Sequence, residues 1–187
     1  NAAAFYMDWT DLQTEFAFGI VGSGDTISFE SGIQNAAAAR SYGLELEIQG
    51  LLTPNWTVAA GGGYLNAKFK DYQNAAVDGQ VVDLSGETMP NAPKWTFNAN
   101  TEYAFDISDK YSAYVRGEWF YRGGLVANQI GLINSGFPWD VPSFNVFNIR
   151  AGIETETFSV TGYVENVVDK TYYTNAYQKA FYGGLHV

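Results

Sequence analysis

Arg40-Ser-Tyr-Gly-Leu-Glu-Leu-Glu-Ile48 decides the fold. From Ser41 onward, polar and apolar residues alternate without a break. Tyr42, Leu44, Leu46 and Ile48 fall on one face; Ser41, Gly43, Glu45, Glu47 and Gln49 fall on the other. Successive side chains of a strand point to opposite sides, so this is a β-strand with one greasy and one acidic face. In a soluble sandwich the greasy face packs into a core. In a membrane barrel it meets lipid, and the acidic face lines water.

Composition separates these readings. Aromatic residues make up 17% of the 187 positions. Charged residues make up only 16%, against about 25% in ordinary globular chains. A sheet whose outer face needs no water has this profile. The net charge of −10 argues against nucleic acid as a partner. The chain has no Cys, which excludes disulfides and thiolate sites, and a single His, His186, which leaves no material for a His-based triad. No apolar run is long enough for a transmembrane helix, a fact without bearing on barrels. No signal-peptide pattern opens the chain; Asn1-Ala-Ala-Ala-Phe-Tyr6 already alternates, so the sequence reads as a piece of something longer.

Outward from the opening stretch, six more strands are expected. Residues 2–14 alternate, with Ala3, Phe5, Met7 and Trp9 opposite Ala4, Tyr6, Asp8 and Thr10. Trp56–Phe69 is interrupted in pattern by Gly61-Gly62-Gly63, which predicts a kink or a close backbone approach. Lys94–Phe105, Tyr111–Arg122, Ser143–Glu154 and Phe158–Val167 all show period two. The connections alternate. Leu51–Asn55, Asp106–Lys110 and Glu154–Thr157 are short; Gly19–Gly32, Asp71–Pro93, Gly123–Pro142 and the tail from Asp169 are long. An up-and-down meander gathers the short turns at one end and the long loops at the other, as outer-membrane barrels do. Strands of ~10 residues suit a tilted bilayer crossing. Trp9, Trp56, Trp95, Tyr103, Phe105, Tyr111, Trp119, Tyr121 and Phe158 sit near strand ends, where aromatic girdles form.

Phe5-Tyr-Met-Asp-Trp9, Arg40-Ser-Tyr-Gly-Leu-Glu-Leu-Glu47, Pro90-Asn-Ala-Pro93-Lys-Trp95 and Asn166-Val-Val-Asp169-Lys-Thr-Tyr172, in this order, resemble the C-terminal barrel of TonB-dependent outer-membrane receptors. The resemblance covers nearly the whole chain. It implies an all-β, antiparallel up-and-down transmembrane β-barrel, of which residues 1–187 supply about seven strands of a larger, 22-stranded barrel with a plugged lumen. The N-terminal plug, the TonB box and the final strand then lie outside this chain. The implied activity is energised uptake of a scarce nutrient (siderophore, vitamin, metal chelate or glycan) in the outer membrane of a Gram-negative bacterium. The implied partners are outer-membrane lipid, the protein's own plug domain, the TonB complex through the N-terminal region, and a small nutrient ligand. The alternatives are a passive porin-like barrel without a plug and a soluble all-β carbohydrate-binding module.

Transport needs no catalytic group, and none is expected; nor is a cofactor or a metal site. Asp71, Asp78, Asp83 and Glu87 offer oxygens to a cation, but their spacing fits no EF-hand and favours a solvated loop. Glu45, Glu47, Glu102, Arg116, Glu118, Arg150 and Glu165 are expected to face the lumen. Reading the acids among them as a glycosidase pair is the weaker choice. Tyr121, Arg122, Asn128, Gln129, Phe137 and Trp139 combine stacking surface with hydrogen-bonding groups and are the ligand-binding candidates. Loop packing competes with that role.

Overall fold

A computed structural model describes the backbone of residues 1–21, 27–77, 80–127, 140–179 and 184–186. Every regular element among the described residues is a strand. Seven form one antiparallel meander in the order β1 (Ala2–Val21), β2 (Ile27–Thr53), β3 (Trp56–Asp71), β6 (Trp95–Ser108), β7 (Tyr111–Arg122), β10 (Phe144–Glu154) and β11 (Ser159–Val164). Three two-stranded ribbons lie in the longer connections and the tail: β4 (Ala75–Val77) with β5 (Gln80–Val82), β8 (Leu125–Val126) with β9 (Asp140–Val141), and β12 (Tyr177–Lys179) with β13 (Gly184–His186).

The register sorts the side chains into two faces. Leu44 pairs with Tyr64 and Tyr64 with Trp95; Ile48 pairs with Ala60, Ala60 with Ala99, Ala99 with Trp119, and Trp119 with Phe147. All of these share the apolar face. Leu44 is 60% exposed, Leu46 58% and Ile48 58%, so no second sheet among the described residues covers them. A soluble sandwich buries such residues, each at a gain of ~1.5–3 kcal/mol. The apolar face therefore needs a non-aqueous neighbour. The buried clusters lie instead at the long-loop end: Ala39, Phe69, Tyr72, Ala75 and Leu84 in one, Leu125, Ala127, Val141 and Ala176 in the other.

Three expectations change. Gly19–Gly32 was expected to be loop. β1 instead runs to Val21 and β2 starts at Ile27, with Gly19 paired to Phe29, so most of that connection is a paired ribbon. The glycine triplet does not kink β3, which keeps an unbroken register against β6 from Trp56 to Tyr64. It serves close approach: a Cβ on Gly62 would stand 2.6 Å from the Phe97 ring, and one on Gly61 3.2 Å from the Asn98 amide. Trp9 joins no outer girdle. Phe5 opposes Gly43 and Trp9 opposes Ala39, which puts both aromatics on the face of Glu45 and Glu47. The cause is steric, because the Phe5 ring lies over Gly43, where a Cβ would meet it at 2.6 Å.

The turn end of the apolar face carries the expected aromatics. Trp56 opposes Tyr103, and its indole N–H donates to Thr101 Oγ1 at 2.6 Å. Toward the loop end, Tyr64, Trp95, Phe97 and Tyr121 form a run of neighbouring rings 4.7–5.9 Å apart. The Asn166–Tyr172 motif acquires a local reason. Asn166 and Asp169 both adopt left-handed φ (51° and 49°), a region that short polar side chains tolerate. Asn166 Oδ1 accepts from the Lys170 N–H at 2.9 Å, while the Asn166 N–H donates to Asn148 Oδ1 at 2.9 Å. The chain thus turns away from β11 with its backbone groups satisfied.

Candidate functional site

The polar face is the candidate. Glu102 opposes Arg116, and Arg116 opposes Arg150, across β6, β7 and β10. Two arginines directly across a strand pair repel. Glu118, two residues from Arg116 on the same face, resolves this. Its carboxylate takes Arg116 Nε at 2.9 Å on one oxygen and approaches Arg150 Nη2 at 3.4 Å with the other. Glu102 stands 3.6 Å from Arg116 Nη1. The four charges balance. Each pair is half-exposed and individually weak, so the ladder acts as a network. Glu102, Arg116 and Arg150, with Tyr114 and Glu154, line a hollow of about 290 Å³. The Tyr114 ring packs over Gly152, and its hydroxyl shares a 2.9 Å hydrogen bond with Thr161.

On β2 and β3 the same face differs. Glu45 opposes Gly63 and Glu47 opposes Gly61. Glu47 accepts from the Asn1 side-chain amide at 3.2 Å. No cation pairs with either acid among the described residues. Glu165 falls one residue beyond β11, and among the described residues it too has no ion pair.

Of the ligand-binding candidates, Asn128, Gln129, Phe137 and Trp139 lie outside the described residues. Tyr121 and Arg122 are brought to opposite faces. Tyr121 opposes Phe97 and Asn145 on the apolar side; Arg122 opposes Thr96 and Phe144 on the polar side. The two therefore line no common pocket. Arg122 acts as a clamp. Its Nη1 donates to Thr174 O at 2.6 Å and its Nη2 to Tyr173 O at 2.8 Å. Its guanidinium lies 4.7 Å from the centre of the Phe144 ring, which stacks on Tyr172 at 4.4 Å. This pins residues 172–174 across the loop end of β7 and β10.

Among the acidic-loop residues, Asp83 is engaged within its own loop, where Oδ1 accepts the Ser85 N–H at 2.8 Å. Hydrogen bonds from Ser85 hold its pKa below the ordinary carboxylate value. A hollow of about 810 Å³ lies on the apolar face, where Ala60, Ala99 and Gly117 leave space among Ile48, Trp119 and Phe147. Its walls offer almost no polar group, so it suits acyl chains better than a nutrient ligand.

Sequence reading missed Arg40, Lys68 and Lys70. All three share the apolar phase, with Arg40 opposite Lys68. Extending the Ser41–Ile48 alternation one residue upstream would have placed Arg40 beside Tyr42.

Residues 1–167 match the family described as TonB dependent receptor-like, beta-barrel. The probable TonB-dependent receptor BfrD of Bordetella pertussis is 28% identical over 155 residues, which cover 78% of this chain and 19% of that protein. The probable TonB-dependent siderophore receptor PiuA of Acinetobacter baumannii is 27% identical over 153 residues, covering 76% of this chain and 18% of that protein. The chain thus spans about a fifth of the length of these relatives. The ferric yersiniabactin uptake receptor FyuA of Yersinia pestis superposes with a TM-score of 0.68 at 18% identity, covering 98% of this chain and 24% of that one. The PiuA crystal structure superposes with a TM-score of 0.64 at 20% identity, covering 92% and 22%. These superpositions extend the likeness of fold across all seven strands of the sheet. The chain belongs to the TonB-dependent receptor-like β-barrel family, whose members are outer-membrane proteins of Gram-negative bacteria, receptors and transporters rather than enzymes.

Proposed function

We propose that this chain forms part of the barrel wall of a TonB-dependent importer that takes up a siderophore-type metal chelate. In this reading the polar face lines the lumen and seats a plug domain carried elsewhere in the parent protein. An N-terminal segment of that protein engages the TonB complex, which supplies the energy. The observation that carries the reading is the uneven polar face: Glu45 and Glu47 over small residues, without an ion pair among the described residues, beside a closed charge ladder. Unpaired acids facing an empty lumen gain nothing, whereas a packed plug with cationic groups pairs them. PiuA, a probable siderophore receptor, and FyuA, a ferric yersiniabactin uptake receptor, support the substrate class. Asn128, Gln129, Phe137 and Trp139 lie in the sequence between β8 and β9, outside the described residues, and are the candidates to contact it.

The test is uptake of iron-labelled ferric chelates by cells that carry the full-length receptor, with and without a protonophore. Saturable uptake that stops when the membrane is de-energised is expected. Uptake that persists in de-energised cells and rises linearly with concentration would replace this reading with a passive porin. A soluble carbohydrate-binding module is disfavoured by the uncovered apolar face.

A further inference from the structure

The chain carries ten basic residues against a net charge of −10. Three of the ten gather at one place, and a fourth, Lys94, lies two rows away beside Tyr64. Arg40 opposes both Asp8 on β1 and Lys68 on β3, so the three form one cross-strand row. Lys70 lies two residues beyond Lys68 in the same phase, with Nζ 3.7 Å from Asp8. Lys94 reaches over the Tyr64 ring, with Nζ 5.6 Å from its centre. Tyr64 pairs with Leu44, so this ring, and with it the row of Arg40, belongs to the apolar face. Asp8 is already held by Arg40 through two hydrogen bonds of 2.8 and 3.1 Å. Four cations against Asp8 and the bordering Asp71, which opposes Ala38, leave the cluster net positive. Lys68 and Lys70 are exposed, and Lys68 has no ion pair among the described residues.

Height along the barrel gives the cluster its meaning. From Tyr42 to Leu52 the apolar phase of β2 runs about ten residues, which at ~3.3 Å each and a ~40° tilt spans roughly 25 Å, the height of a barrel's apolar band. Arg40 stands one step above it on the long-loop side, at headgroup level. Tyr6 and Tyr42 fill the row between, and the Arg40 guanidinium lies 5.1 Å from the centre of the Tyr6 ring. Directly below, Leu44, Leu46 and Ile48 offer an exposed apolar track. Cations above, tyrosines at the boundary and an apolar track beneath match an anionic amphiphile held upright.

We propose that Arg40, Lys68, Lys70 and Lys94 form a docking site on the outside of the barrel for the phosphate-bearing headgroup of an outer-leaflet lipid. Lysines bind phosphate as mobile point charges, while Arg40, fixed by Asp8, sets the centre of the site.

The experiment is native mass spectrometry of the full-length receptor in neutral detergent, titrated with a diphosphorylated glucosamine glycolipid. The variant Lys68→Gln/Lys70→Gln/Lys94→Gln keeps the Arg40–Asp8 pair intact. It is expected to bind the lipid roughly ten-fold more weakly. Wild type should lose a similar factor when the lipid lacks its phosphates, and millimolar inorganic phosphate should leave the bound lipid in place. Lys110→Gln, in the short turn at the far end of the sheet, should change nothing. Equal binding by the triple variant and wild type would overturn the site. So would equal weakening by Lys110→Gln, and displacement by inorganic phosphate would show a free-anion site instead. Heat-modifiable migration on a gel checks that each variant folds. Should the triple variant fail that check, Lys68→Gln alone is expected to weaken binding about three-fold, and an unchanged affinity would count against the site.

Discussion

The polar face is built in two ways. On β6, β7 and β10 it is self-sufficient: Glu102, Arg116, Glu118 and Arg150 neutralise one another, and Arg122 closes the top by gripping two carbonyls. On β2 and β3 it is bare, with Glu45 and Glu47 over Gly63 and Gly61. Both halves come from the same alternation and the same fold. The difference lies in what fills the opposing positions. Charged side chains across from charged side chains make a finished wall. Glycines across from charges leave room and unpaired charge for something else to complete.

The sharpest way to break the bare half is to fill it. Gly43→Val places side-chain carbon against the Tyr64 carbonyl oxygen and into the Phe5 ring. Neither the backbone nor a ring locked between two strands yields easily. Urea unfolding of the full-length barrel should show a loss of about 3 kcal/mol, at the upper end for overpacking. Phe5→Ala in the same chain should recover only part of it, because the Tyr64 carbonyl remains. Full recovery would mean that the ring alone fixes the register.

The self-sufficient half breaks at its clamp. Arg122→Lys keeps the charge but loses the planar fork that reaches Tyr173 O and Thr174 O together. Hydrogen bonds from a charged donor contribute ~1.5–3 kcal/mol. Amide exchange across residues 170–176 should therefore accelerate about thirty-fold, while exchange in β2 and β3 stays unchanged. Uniform acceleration across the sheet would show that the clamp stabilises the whole barrel rather than one crossing.

These two sites also show what the sequence discloses. The alternation in Ser41–Ile48 was enough to obtain strands, faces and the membrane reading, because period two is a local property of the chain. Glu45, Glu47, Glu102, Arg116, Glu118 and Arg150 share one face of the sheet. Their partners were not legible. That Glu118 sits between two arginines depends on the β7–β10 register, which tertiary pairing sets. Trp9 failed for the same reason: its phase was right, but only the match of Phe5 to Gly43 says which face that phase occupies. Tyr121 and Arg122 look like one site in sequence, yet adjacent strand residues point apart. The Gly19–Gly32 ribbon was hidden because its glycines and serines read as loop until a partner strand is present.

A smaller effect separates the ladder from simple surface charge. Glu118→Gln leaves Arg116 facing Arg150 with no acid between them. With Glu118 22% exposed, the loss in unfolding free energy should be about 1 kcal/mol. Adding Arg150→Gln should restore about half of it, since the second arginine is then no longer opposed. Additive losses in the double variant would reduce the ladder to independent surface pairs.

The smallest stability effect should belong to the bare half, and there it is the most informative. Glu45→Gln/Glu47→Gln removes two acids that no cation among the described residues holds, so the unfolding free energy should move by less than about 0.5 kcal/mol, and it should move upward as like-charge crowding is relieved. If a plug with cationic groups completes this surface, the same variant must loosen the plug. Protease should then release it faster from the intact receptor, at a rate that added salt no longer changes. Wild-type release should accelerate with salt, because screening weakens the same contacts. The finished half supplies the control: Glu118→Gln should leave plug release and its salt dependence as in wild type, because Glu118 already has both its partners in the wall. If both variants loosened the plug equally, the two halves would be one surface, and the distinction between a finished and an unfinished wall would fail.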